Sequence, residues 1–199
     1  MRQIACTAVA ARPTASAAGA AYTVRSYDPA HERGGWEVLA AIHRAYNTRR
    51  PLTAVRDAVY WRYIAARVGW WLTSDQVQIL VAAPVHQEAD VRAYAIAGFS
   101  ADHGVRIVEI GALPGDEGAL EPLLTTVAKQ AVERGMAGRP GAVPREPRLD
   151  AILATLCSGI EDHIDPDWTA RAIGPNVDER ALIALPDAPG AVAWLFDDV

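Results

Sequence analysis

Between residues 105 and 113 the chain is apolar almost without a break, interrupted only by Arg106, Glu109 and Gly111. Such a run suits a central strand covered on both faces. Pro114, Gly115, Asp116 and Glu117 follow, which is turn chemistry with acids where a helix N-terminus favours negative charge. The period then changes. Leu120, Leu123, Leu124, Val127, Ala128, Ala131 and Val132 recur at helical spacing, with Thr125, Lys129, Gln130, Glu133 and Arg134 opposite them. Gly135 stands where a helix ends. This strand, tight turn and helix of about four turns form the unit around which the chain is organised.

The remaining pattern is read outward from that unit. Residues 22–27 alternate enough for a first strand, ended by Asp28-Pro29. Val38, Leu39, Ile42, Ala45 and Tyr46 mark an amphipathic helix over 31–46, and the approach to Pro51 breaks it. A second helix is predicted over 54–66, before a bulky turn at Gly69-Trp70-Trp71. Strands are predicted over 77–83 and 92–99, joined by a polar hairpin loop. Beyond the long helix, 138–147 holds two Gly and three Pro and reads as loop, with a short strand at Ala142-Val143. A short helix follows over 149–157, then strands over 181–185 and 191–196. This is the order of an α+β protein, or of an α/β protein with a mixed sheet and helices on its faces.

Composition narrows the classes. A chain of 199 residues, 51% hydrophobic and 22% charged, can bury one sizeable core. A net charge of −5 argues against a nucleic-acid surface and gives no reason to expect anionic lipid. Cys6 and Cys157 are too few for a disulfide framework, which points to a reducing cytoplasm. No apolar run approaches the roughly 18 residues of a membrane span, so no membrane partner is expected. Residues 1–21 are Ala-rich and low in complexity, and read as a flexible tail or linker before a domain spanning 22–199. A signal peptide is the alternative there, disfavoured by a short, weakly apolar stretch containing Cys6 and Thr7.

The element order, with its long helix after the fourth predicted strand, resembles the GCN5-related N-acetyltransferase (GNAT) superfamily over residues 22–199. The segment from Tyr46 to Tyr63, YNTRRPLTAVRDAVYWRY, is similar to one in the C-terminal domain of bacterial tandem GNAT proteins. The resemblance implies an acyl-CoA N-acyltransferase-like fold, a central mixed sheet flanked by about four helices. In active members the turn after the fourth strand carries Arg or Gln, two residues, Gly, one residue, then Gly or Ala. Backbone N–H groups there cradle the pyrophosphate of acetyl-coenzyme A, and small residues admit it. Matching Leu123-Leu124 to the family's paired leucines puts Gly118 on the first glycine, Gly115 at the Arg position and Leu120 on the second glycine. Asp116 and Glu117 then stand where the pyrophosphate belongs, with like-charge repulsion on the order of a kcal/mol each.

By the same resemblance, a retained cofactor would lie along Ile110, Gly111 and Ala112 and around Gly115, Gly118 and Ala119, with Glu109 as general base for an amine. A bystander carboxylate is the plainer reading of Glu109. The Tyr that many members use as general acid is missing from Leu156-Cys157-Ser158-Gly159, and Cys157 reads as a small buried residue. The five histidines show no metal-ligand spacing, so no metal is expected, and solvated roles suffice for them. Arg44, Arg49, Arg50 and Arg56 read as a solvated cluster, with an acidic substrate or a partner's carboxylates as the alternative it could receive. Tyr60, Trp61, Tyr63, Trp70 and Trp71 suit core, cleft lining or a protein interface. Two functions follow. One is a domain with a degenerate acetyl-CoA pyrophosphate motif, a structural or interaction module beside a partner domain or in a homo-oligomer. The alternative is an active acetyl-CoA-dependent N-acetyltransferase on a small amine or protein amino group.

Overall fold

The computed structural model describes residues 2–9, 21–48, 50, 56–57, 59–63, 66, 77–101, 104–136, 141–142, 144 and 146–164. Four strands, β2 (Tyr22–Ser26), β3 (Val77–Pro84), β4 (Ala93–Ser100) and β5 (Gly104–Ala112), form a sheet in that order. Every pair in it is antiparallel. Helix α1 (Gly35–Asn47) covers one face and α2 (Leu120–Glu133) the other. A second sheet has the order β6-β1-β7, with β1 (Arg2–Val9) between β6 (Gly141–Ala142) and β7 (Cys157–Ile164). Helix α3 (Pro147–Leu156) leads directly into β7. The architecture is α+β, and the expected mixed sheet resolves into two sheets whose described pairs are all antiparallel.

The faces follow from the two periods. On one side, Ala95, Ile110 and Ala112 of the sheet pack on Leu120, Leu123, Leu124 and Val127 of α2 and on Leu149 and Leu153 of α3. On the other, Ile79, Val81, Tyr94 and Ile96 meet Leu39 and Ile42 of α1 together with Trp61. Val132, expected on the inner stripe of α2, is exposed at 41% because the stripe drifts off the sheet in the last turn. Gly135, at φ +65, ends that helix in the left-handed conformation that a side chain resists.

Three expectations need correction. The organising strand β5 is as buried as a central strand but lies at the end of the four-stranded sheet. Its apolar run reflects cover by α1 and α2 and a neighbouring β6 rather than strand partners on both sides. Residues 2–9, read as part of a flexible tail, form β1, whose backbone pairs from Arg2↔Ile164 to Val9↔Cys157. Main-chain hydrogen bonds carry that pairing, and composition does not record them. The short helix expected over 149–157 ends at Leu156, and Cys157 instead begins strand β7, where no strand was expected. Of the helix expected over 54–66, residues 59–63 are helical. The Trp70-Trp71 turn, Arg49, His103 and the strands expected over 181–185 and 191–196 lie outside the described residues. No helix among the described residues is long and apolar enough to cross a membrane.

Candidate functional site

Strand β5 delivers the candidate residues in two directions. The Leu113 N–H donates to the Arg92 carbonyl at 2.8 Å. By strand alternation, Glu109 and Gly111 therefore aim their main-chain groups at β4, and Ile110 and Ala112 aim theirs away from it. Ile110 and Ala112 are 0% and 1% exposed, with their side chains in the cluster formed with α2. Gly111 has a tighter reason for being glycine. A Cβ there would come within 2.7 Å of Tyr94 Cε1.

The room left at Gly111 lets Tyr94 reach Glu109. Its hydroxyl donates to Glu109 Oε1, and Arg56 Nη2 donates to Glu109 Oε2 at 2.5 Å. The Arg56 and Glu109 side chains are each 0% exposed. Trp61 lies against the same guanidinium, with Arg56 Cζ 5.0 Å from its ring centroid, and His43 meets Trp61 edge-on at 5.4 Å. Glu109 is thus an ion-paired core carboxylate with both oxygens engaged. Arg56 and His43, expected in solvent, are buried at 5% and 3% exposure. Nothing in the sequence marked Arg56 or Tyr94 as partners of Glu109, because 53 and 15 residues separate them from it.

The turn after β5 turns back on itself. Gly115 has φ +90, a conformation in which an arginine would be strained. The Gly115 N–H donates to Glu117 Oε1 at 3.1 Å. Asp116 Oδ1 accepts from the Tyr22 hydroxyl at 2.7 Å, and Oδ2 lies 3.7 Å from Arg92 Nη1. Burial first, and then the bond to Asp116, push the Tyr22 phenol up. Neither acid makes a side-chain cap to the helix behind it, contrary to the expected capping role. Gly118 and Ala119 are buried in a single 3₁₀ turn, Glu117–Ala119, and Leu120 is 1% exposed against the sheet. The candidate residues of this turn therefore sit together, but its first free amide is already taken by a carboxylate of the same turn.

Between this turn and the end of α1 lies a cleft of about 480 Å³, lined by Tyr46, Thr48, Arg50, Ala112, Pro114 and Glu117. Arg50 donates to the Tyr46 carbonyl, pairs with Glu146, and lies over the Tyr46 ring at 3.5 Å. Among the described residues the Tyr46 hydroxyl is buried without a hydrogen-bond partner, and burial holds the phenol far above its usual range. A second groove, of about 820 Å³, runs along α1 past Trp36, Arg44, Asp57 and Trp61. Among the described residues no group of His, Cys, Asp and Glu could hold a metal ion. Cys157 is half-buried against the apolar cluster.

No family model matches the chain, and no curated protein matches it. Several solved structures align with it, three of them as follows. One is yncA of Salmonella typhimurium, named an acetyltransferase and solved with acetyl-CoA, at TM-score 0.46 and 16% identity over 68% of this chain and 78% of that one. A second is the ribosomal-protein-alanine N-acetyltransferase of Brucella melitensis, at TM-score 0.45 and 16% identity over 78% of this chain and 100% of that one. The third is a GCN5-related N-acetyltransferase-like protein of Streptococcus suis, at TM-score 0.43 and 13% identity over 82% of this chain and 58% of that one.

Proposed function

We propose that this chain is a GNAT-like domain whose acetyl-CoA pyrophosphate cradle is degenerate, and that it works as a structural or interaction module with weak or no catalysis. The observation that carries this is the bond from the Gly115 N–H to Glu117 Oε1. A pyrophosphate cradle depends on backbone amides that point at the ligand without a prior anionic partner. Here the anion is supplied by the chain itself, and a phosphate would have to displace it while meeting Asp116 and Glu117 as like charges. The sealed state of Glu109 supports the same reading. A general base must reach the amine directly or through one water, and both oxygens of this carboxylate are held by Arg56 and Tyr94. If the cofactor does fit, Ile110 and Ala112 offer the outward main-chain groups of β5 to its pantetheine arm. The turn amides around Gly115, Gly118 and Ala119 would then face its phosphates.

Isothermal titration with acetyl-CoA tests the proposal. The parent chain should give no heat up to about 1 mM, a free-energy bound near −4 kcal/mol. Removing both acids as Asp116→Asn with Glu117→Ala releases the Gly115 amide without straining the Gly115 backbone. It should improve affinity tenfold or more, about 1.4 kcal/mol. Micromolar binding by the parent sinks the proposal and favours the active N-acetyltransferase reading.

A further inference from the structure

Glu37, Ala41 and Arg44 are exposed along the outer line of α1, opposite the buried Leu39, Ile42 and Tyr46 that hold the helix to the sheet. Ala40 lies beside them, half-buried. These four line the groove of about 820 Å³ whose other wall carries Asp57, Trp61 and Arg62. At 3.6 residues per turn, Glu37 and Arg44 fall on one line of the helix, with Ala40 and Ala41 to either side of it. They stand two turns apart, beyond the three- or four-residue spacing at which side chains of one helix meet. Among the described residues neither side chain has an ion-pair partner.

The pattern is symmetric about the point between Ala40 and Ala41. Glu37 stands three residues before Ala40, and Arg44 three residues after Ala41. A second α1 running antiparallel, its two alanines against these two, therefore sets each Glu37 opposite the other copy's Arg44. We propose that this face forms a two-fold antiparallel dimer of the chain, α1 against α1, with alanines at its centre and a Glu37–Arg44 pair at each end. Alanine at both central positions lets the helix axes come to about 8–10 Å. Trp36 and Trp61, with ring centroids 6.4 Å apart, add apolar surface at the margin of the groove. The antiparallel arrangement also sets the two helix dipoles head to tail. A partner of one charge sign would match one end of the line and oppose the other, whereas a second copy matches both. Such a contact is isologous and closes at two chains. It lies at the small end of specific interfaces, so the dimer is weak and reversible. The proposal gives the interaction module a partner, and it stands on α1 whether or not the cradle binds acetyl-CoA.

Sedimentation equilibrium of the full chain at fixed ionic strength, from about 5 to 500 µM, is the test. It should show a monomer–dimer equilibrium, half associated at about 100 µM or below. Glu37→Arg and Arg44→Glu each oppose like charges at both ends, and each should weaken association about tenfold or more. Both positions are exposed, so each variant should melt within about 5 °C of the parent. Mixing the two variants in equal amounts sets opposite charges against each other again at both ends. The mixture should therefore associate within a few-fold of the parent, although neither variant does so alone. A parent that stays monomeric throughout leaves the groove to some other protein and overturns the proposal. An assembly larger than two, a dimer indifferent to both single variants, or a mixture that stays monomeric overturns it equally. Acetyl-CoA titration of the same samples keeps the two readings apart. Micromolar binding by a dimeric parent sinks the proposed function alone, and a silent titration of a monomeric parent sinks the dimer alone.

Discussion

Replacing Glu109 by glutamine keeps the shape of the side chain and removes its charge. Arg56 then remains inside the protein, 0% exposed, facing a neutral amide. Breaking one side of a buried, hydrogen-bonded ion pair costs about 3–5 kcal/mol, because the surviving charge is left uncompensated. For a chain of this length each kcal/mol corresponds to roughly 2–4 °C of melting temperature, so Glu109→Gln should lower it by about 6–20 °C. Urea denaturation followed by tryptophan fluorescence suits the measurement, since Trp61 lies beside Arg56. Replacing the group together, as Arg56→Met, Glu109→Leu and Tyr94→Phe, removes both charges and the hydroxyl that would otherwise lose its acceptor. That triple variant should recover most of the loss, since apolar replacement of a buried pair is often neutral or stabilising. The single variants should then be strongly non-additive, as expected of residues in one network. A cost below about 1 kcal/mol for Glu109→Gln would refute the reasoning. It would mean that the carboxylate reaches solvent and is available as a base after all.

Other consequences can be checked alongside. Leu120→Ala should cost about 2–5 kcal/mol by urea denaturation, since Leu120 is 1% exposed between α2 and the sheet; a loss under about half a kcal/mol would place the side chain outside the core. Gly111→Ala drives a methyl to within 2.7 Å of Tyr94 and should cost about 1–3 kcal/mol by the same measurement, whereas a neutral effect would show that Tyr94 can move aside freely. A chain beginning at Ala21 lacks the strand between β6 and β7 and should melt at least about 5 °C lower, on the order of 2 kcal/mol; an unchanged melting curve would contradict the pairing of β1. The Tyr22 phenol is raised above its ordinary value of 10.0, so its share of stability is complete below pH 10 and is lost as pH rises through the folded-state value. Ultraviolet difference titration of the parent against Tyr22→Phe should show one phenol ionising late, and a component at or below pH 10 would contradict the Asp116 bond.

What the sequence revealed and what it hid divide along the range of the interactions. The alternation and helical spacing of residues 105–135 placed β5, the turn and α2 nearly to the residue, because local backbone preference and burial agree there. The hairpin of β3 and β4 was equally plain from its polar connection. By contrast, β1 and β7 are held by main-chain pairing between segments far apart in sequence, which leaves little trace in composition. The same holds at the site. Glu109 was visible as an acid in an apolar strand, which the family resemblance offered as a general base and the plainer reading left as a bystander. Only the fold brings Arg56 and Tyr94 onto it and changes its character. Asp116 and Glu117 were legible as wrong for a phosphate, but their partners were not. One turns back to Gly115, and the other is tied to Tyr22, 94 residues away.

The placement of β1 has a consequence for how the molecule comes into being. Arg2 pairs with Ile164 and Val9 with Cys157, so β1, made before the other described strands, waits for the last of them. At about 5–20 residues per second, translation separates them by roughly 10–30 s. The sheet of β2 to β5 can close well within that interval, since each of its strands pairs with the next one made or the one just before. During the wait β1 is an unpaired strand with open edges, the kind of segment that adds to other chains. Assembly should thus have two stages, an early sheet around β5 and a late one nucleated when β7 appears. A chaperone that shields extended segments would act on residues 2–9 in between.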